Sequence, residues 1–114
     1  MKRTLVVLAV AGVMSIGAFA PAQQGSEGQE LYEKYCAACH GQKGVPTRTA
    51  QATWPNLRAF TEPGFLETRS DDSIVAVTHS GIGRDMPARK DRLTREQLMA
   101  IARYVRSLAP PRAP

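Results

Sequence analysis

Aromatic side chains are few: three Phe, three Tyr and one Trp in 114 residues. None is interleaved with basic residues in the manner of a nucleic-acid-binding surface. Cysteine is scarcer still. Two residues exclude a disulfide-dense scaffold and a four-cysteine zinc site. There are only two histidines, no internal repeat, and no alternating or β-rich run anywhere in 23–114. Charged residues at 22% and hydrophobic ones at 43% rule out both a disordered chain and a multi-span membrane protein. The length allows one domain with an appendage.

The appendage is the first 22 residues. Lys2 and Arg3 precede an uncharged stretch over 4–20, and Ala20-Pro21-Ala22 sets small residues at the −3 and −1 positions before Gln23. This predicts an export signal over 1–22, cut after Ala22, and a mature domain over 23–114. The alternative is an uncleaved anchor. Seventeen apolar residues at about 1.5 Å each fall short of a ~30 Å hydrocarbon core, so cleavage and a periplasmic location are expected. No cysteine lies near the cut to carry a lipid. Losing Lys2 and Arg3 lowers the net charge from +5 to +3. Export also puts the two thiols in an oxidising compartment, where a pair stays neither bridged, metallated nor alkylated only rarely.

Those thiols stand in Cys36-Ala37-Ala38-Cys39-His40, the C-x-x-C-H pattern of c-type haem attachment. Two cysteines three apart on a helical turn can reach both vinyl groups of one porphyrin, and the next residue's imidazole can then lie under the iron. At this chain's Cys and His frequencies the pattern would arise by chance in roughly six of ten thousand such sequences. A thioredoxin-like redox pair would need a βαβ pattern that is lacking. Half a zinc site would need a second ligand pair, and only His79 is left.

Helical signals surround the motif. Ser26-Glu27-Gly28-Gln29 has the form of a capping box, followed by Leu31, Tyr35 and Ala38 at helical spacing. A middle helix is expected from Ser70 or Asp71, with acids in its first turn, Ile74, Val77 and Thr78 as one buried stripe, and Gly81 as its stop. The last helix is expected from Thr94. Gln97 completes its capping box, Leu93 and Leu98 form a hydrophobic staple, Leu98, Ile101, Val105 and Leu108 make one apolar face, and Pro110 and Pro111 end it. The tail over 109–114 is expected to fray.

Met86 is the first candidate for the iron's sixth ligand. It lies 46 residues after His40 in Gly81-Ile82-Gly83-Arg84-Asp85-Met86-Pro87, a loop able to return across a ring, and Pro87 holds it in extended geometry. His79, in the last turn of the middle helix, is the competitor; Met99 reads as packing. A histidine and a methionine together would raise the reduction potential relative to two histidines and leave no vacant site for substrate chemistry.

The run GQELYEKYCAACHG over 28–41, Trp54-Pro55-Asn56-Leu57, the Met86 loop and LTREQLMAIARYVRSL closely resemble the class I cytochromes c. The resemblance covers most of 26–109, though 42–53 and 58–70 match nothing specific. It implies an all-α fold of three or more helices wrapped around one haem c, held covalently through Cys36 and Cys39, with His40 and Met86 as metal ligands. It implies that Gly28 lets Tyr104 of the last helix pack closely. It implies too that a proline carbonyl accepts a hydrogen bond from the proximal imidazole. Pro55 matches best and Pro46 is the alternative, with Leu57 packing on the ring. Trp54 is either a donor to a haem propionate or a core tryptophan.

Segment 84–95 holds Arg84, Arg89, Lys90, Arg92 and Arg95 against Asp85 and Asp91, a balance of +3, while the rest of the mature chain balances to zero. The expected role is a single-electron carrier, not an enzyme, whose basic patch steers an acidic redox partner to the haem edge. The rivals are a dedicated haem subunit of a dehydrogenase or oxidase and a thiol–disulfide oxidoreductase.

Overall fold

The computed structural model describes residues 7–14, 17 and 22–111. Lys2, Arg3, Ala20 and Pro21 of the expected leader, and residues 112–114 of the tail, lie outside the described residues. Residues 7–14 have no regular structure, and Val7, Leu8, Val10, Val13 and Met14 are exposed.

Five helices follow in order: α1 (Ala22–Tyr35), α2 (Ala37–His40), α3 (Arg48–Thr53), α4 (Asp71–Ser80) and α5 (Arg95–Leu108). There is no strand among the described residues, only an isolated bridge between Ile82 and Met86. The fold is the small all-α one expected. No helix among the described residues is long and apolar enough to cross a membrane.

Caps written in the sequence set two of these helices. Ser70 Oγ accepts from Ser73 N at the start of α4, with Asp71 and Asp72 behind it. Thr94 and Gln97 form a reciprocal capping box on α5. Gly81 closes α4 at φ +71, and a Cβ there would sit 2.7 Å from Ala88 N, so only glycine lets the chain turn this tightly under the following loop. The start of α1 differs from expectation. The chain is already helical at Ala22, so Ser26 lies inside the helix. Ala22, Gln23 and Gln24 are good helix formers, and they extend the helix by a turn beyond the expected cap.

α1 crosses α5 closely. A Cβ on Gly28 would meet the Ala100 carbonyl carbon at 2.9 Å and Tyr104 Cβ at 3.3 Å, the close approach that the glycine was expected to permit. Tyr32, Leu98, Ile101, Ala102 and Val105 form the core at this crossing, and Val75 of α4 joins them. The Tyr32 and Tyr104 rings lie 5.1 Å apart. Arg106 of α5 binds Asp71 Oδ1 at 2.6 Å and the carbonyls of Leu66 and Arg69, fastening the 58–70 loop and the start of α4.

The expected stripe of Ile74, Val77 and Thr78 lies on one side of α4 but is unevenly buried. Val75 and Thr78 are buried, Ile74 is half-buried, and Val77 is 40% exposed. The helix has two apolar sides: Val75 faces the helical core, whereas Ile74, Val77 and Thr78 face a cavity.

Candidate functional site

The cavity measures about 830 Å³, within the range of small-molecule and cofactor sites. Its walls come from four segments: Cys36, Cys39 and His40; Trp54, Leu57, Phe60 and Phe65; Ile74, Val77 and Thr78; and Ile82, Asp85, Met86, Pro87 and Arg89. Ile101 and Val105 of α5 complete it.

The haem-motif residues sit where α1 breaks. Cys36 has non-helical φ and ψ at the junction, and α2 restarts as a single turn that ends on His40. Tyr32, fully buried in α1, donates its hydroxyl to Gly41 O at 2.6 Å and fixes the exit from that turn. Thr47 holds it from the other side, with its N–H donating to Cys39 O and its hydroxyl to Ala38 O. The same Oγ accepts from Ala50 N and caps α3.

Burial lowers the pKa of His40, so the imidazole is neutral, the form that binds iron. Its ring stacks on Phe60 with centroids 4.8 Å apart and an interplanar angle of 16°. Its Nδ1 is buried and has no hydrogen-bond partner. The expected bond to Pro55 is therefore not made. Pro55 is exposed and off the cavity wall, and its carbonyl accepts instead from Gln51 Nε2 at 2.9 Å. Gln51 also reaches Leu57 O. Helix α3, in a stretch where the sequence offered no match, carries Gln51 over the following turn, where its amide donates to both carbonyls. Pro46 does not accept from His40 either. Leu57 lines the cavity.

Cys36 and Cys39 are not bridged. Burial pushes the Cys36 thiol up to about 11, against a smaller opposing effect of Arg89. A thiol–disulfide oxidoreductase needs the reverse, a depressed thiol. Among the described residues no group of three or more His, Cys, Asp or Glu side chains could hold a metal ion.

Met86 is half-buried on the wall of the same cavity. Ile82 N donates to Met86 O at 2.8 Å, and Met86 N to Ile82 O at 3.1 Å, which draws the loop into a tight ring. His79 is exposed, off the cavity wall, with Nδ1 3.2 Å from Ser80 Oγ. Met99 also lies elsewhere, in a surface groove with Glu27 and Arg103. Two thiols, a neutral imidazole and a thioether thus converge on one largely apolar cavity. That donor set fits a c-type haem, which Cys36 and Cys39 would tether and His40 and Met86 would ligate.

Three polar residues take roles that the sequence did not indicate. Trp54 Nε1 donates to Asp85 Oδ1 at 2.9 Å, which ties its indole to the Met86 loop. Arg89 is half-buried, lies over the Tyr35 ring and donates to Tyr35 O at 2.8 Å. It is a structural tie whose charge stays beside the haem-motif turn. Arg95 pairs with Asp72 at 2.9 Å. Arg84, Lys90 and Arg92 remain exposed without an ion-pair partner among the described residues. Sequence reasoning also missed Phe60 and Phe65, whose turn-rich segment has no helical or strand period.

The family described as "Cytochrome C oxidase, cbb3-type, subunit III" matches residues 23–105. Among solved structures, the chain is similar to the KustC0563 c-type cytochrome, at 29% identity and a TM-score of 0.67 over 73% of this chain and 98% of that one. It is similar as well to a point mutant of Kustc0563, at 28% identity and a TM-score of 0.65 over 72% of this chain and 98% of that one.

Proposed function

The chain belongs to the cbb3-type cytochrome c oxidase subunit III family, which makes it a class I c-type cytochrome and an electron-transfer haem protein, and we propose that it works as an exported single-electron carrier between larger redox proteins. The observation that carries this reading is the convergence of Cys36, Cys39, His40 and Met86 on one cavity. The haem, when bound, supplies a one-electron iron couple. Cys36 and Cys39 would anchor it, His40 and Met86 would ligate its iron, and the apolar walls would keep water away. With both ligands supplied by the protein, the site would carry electrons and leave no position for substrate.

Removal of residues 1–22 and a periplasmic location belong to the same reading. They are supported by the charge and small-residue pattern of the leader and by a family match that begins at Gln23.

The docking surface is the cavity rim. Val77 and Ile82 are 40% and 56% exposed there, on the same part of the chain as Arg84, Lys90 and Arg92. Replacing those three cations with Glu reverses the local charge while leaving the Arg89 tie intact. Oxidation by an acidic redox partner is expected to slow about tenfold at low ionic strength, and the salt dependence to flatten or invert. Stopped-flow rates across a salt series check this; an unchanged rate and slope would end the steering role.

A second reading, a haem subunit held in a larger complex, takes support from the oxidase subunit named in the matched family's description. Co-elution with one large partner at physiological salt would favour it over the carrier.

A further inference from the structure

The Met86 loop is fastened at both ends to the half of the molecule that carries the haem-attachment turn. At one end, Arg89 donates to Tyr35 O, next to Cys36. At the other, Asp85 accepts from Trp54 across 31 residues of sequence. Trp54 is itself a firm anchor. Its backbone N–H donates to Ala50 O at 2.8 Å and its carbonyl accepts from Leu57 N at 3.0 Å. Helix α3 before it is strapped by Thr47 to Ala38 O and Cys39 O. A continuous run of hydrogen bonds therefore leads from the thiol-bearing turn, through α3 and the Trp54 indole, to the residue beside Met86.

We propose that Trp54 and Asp85 form a latch that holds the Met86 thioether over the haem iron, acting as positioning residues for the sixth ligand. This rests on Met86 being that ligand. The Ile82–Met86 ring and Pro87 make the segment stiff, so moving Met86 off the iron moves Asp85 with it and breaks the indole bond. That bond therefore favours only the closed loop, and its loss shows as easier replacement of the methionine by an added ligand.

Exogenous imidazole is the probe, titrated into the oxidised holoprotein at a fixed pH. Trp54→Phe and Asp85→Ala are each expected to tighten imidazole binding about five- to tenfold, the scale of one hydrogen bond to a charged acceptor near the surface. The double variant should tighten it no further than either single one, because both remove the same bond. Asp85→Asn keeps an oxygen that can accept from the indole and should stay within about threefold of wild type. Unchanged affinities, or single effects that multiply in the double variant, would overturn the latch. If Trp54→Phe fails to take up haem, the comparison of Asp85→Ala with Asp85→Asn decides alone, and equal affinities overturn the proposal. The wild-type near-infrared band of a sulfur-ligated haem separates the two readings. Its absence overturns Met86 ligation and the latch together, whereas its presence with unchanged affinities overturns the latch only.

Discussion

A Cys36→Ser, Cys39→Ser variant is expected to leave an exporting, maturation-competent host as a colourless chain that does not reach a stable fold. Serine matches cysteine closely in size, so the local turn loses little packing. The chain loses its two covalent attachment points, and with them the filling of a cavity of about 830 Å³. At about 24 cal/mol per Å³, a void of that size would cost about 20 kcal/mol if dry. The cavity opens to solvent, so that figure is an upper limit. Even a third of it, about 7 kcal/mol, equals the whole stability of an ordinary domain. α1, α4 and α5 all face the cavity or the residues lining it, and Ile101 and Val105 belong to both cavity and core. Circular dichroism and absorbance after denaturation and acidic solvent extraction check this. Native helical content in a colourless double variant would show that the helices support themselves without the haem.

Met86→Ala is the second large effect. Among the described residues the thioether is the only sulfur besides the two motif thiols on the cavity wall. The variant should lose the near-infrared sulfur band when oxidised and become high-spin when reduced. Carbon monoxide should then bind on the order of a hundredfold faster, or more, because wild type must first release its methionine. The reduction potential should fall, since a thioether favours the reduced iron. Truncating a half-buried methionine should also cost about 2 kcal/mol, near the low end for such substitutions. Optical spectra and flash photolysis read these outcomes. An unaltered spectrum would remove Met86 from the ligand set. His79 would be a poor replacement candidate even then, since it is exposed outside the cavity.

What the sequence made legible was what short-range chemistry encodes. Thr94 and Gln97 lie three residues apart, so their reciprocal capping of α5 is a local pattern. The same holds for Ser70 at α4, for Gly81 at its end, and for the two thiols and imidazole of 36–40. Gly28 was legible only through family resemblance, because its partner is Ala100 on another helix. The unread features were contacts between distant segments. Arg89 reads in the sequence as a free surface cation, and its contact with Tyr35, 54 residues away, fixes its side chain in place. Trp54 and Asp85 looked like an aromatic near a haem and an acid within a basic run, and no spacing rule joins them. The Pro55 carbonyl shows the same limit: helix α3 is only six residues long, too short for periodicity to detect, and its Gln51 donates to that carbonyl. The Val77 error came from a cofactor acting as part of the interior: a side chain facing a haem cavity and one facing the protein core have the same apolar signature.

The Phe60 ring stacked on the His40 imidazole orients this side chain by packing. Burial keeps the ring neutral, and Phe60 and the Tyr32-braced turn hold its plane.

The most direct test is the mass and absorption spectrum of the exported holoprotein, purified from a host able to attach haem. The account predicts a chain heavier by one haem that survives denaturation, a low-spin spectrum in both redox states, and, when oxidised, the weak near-infrared band of iron–thioether ligation. An unmodified mass and a colourless protein would contradict it at its root.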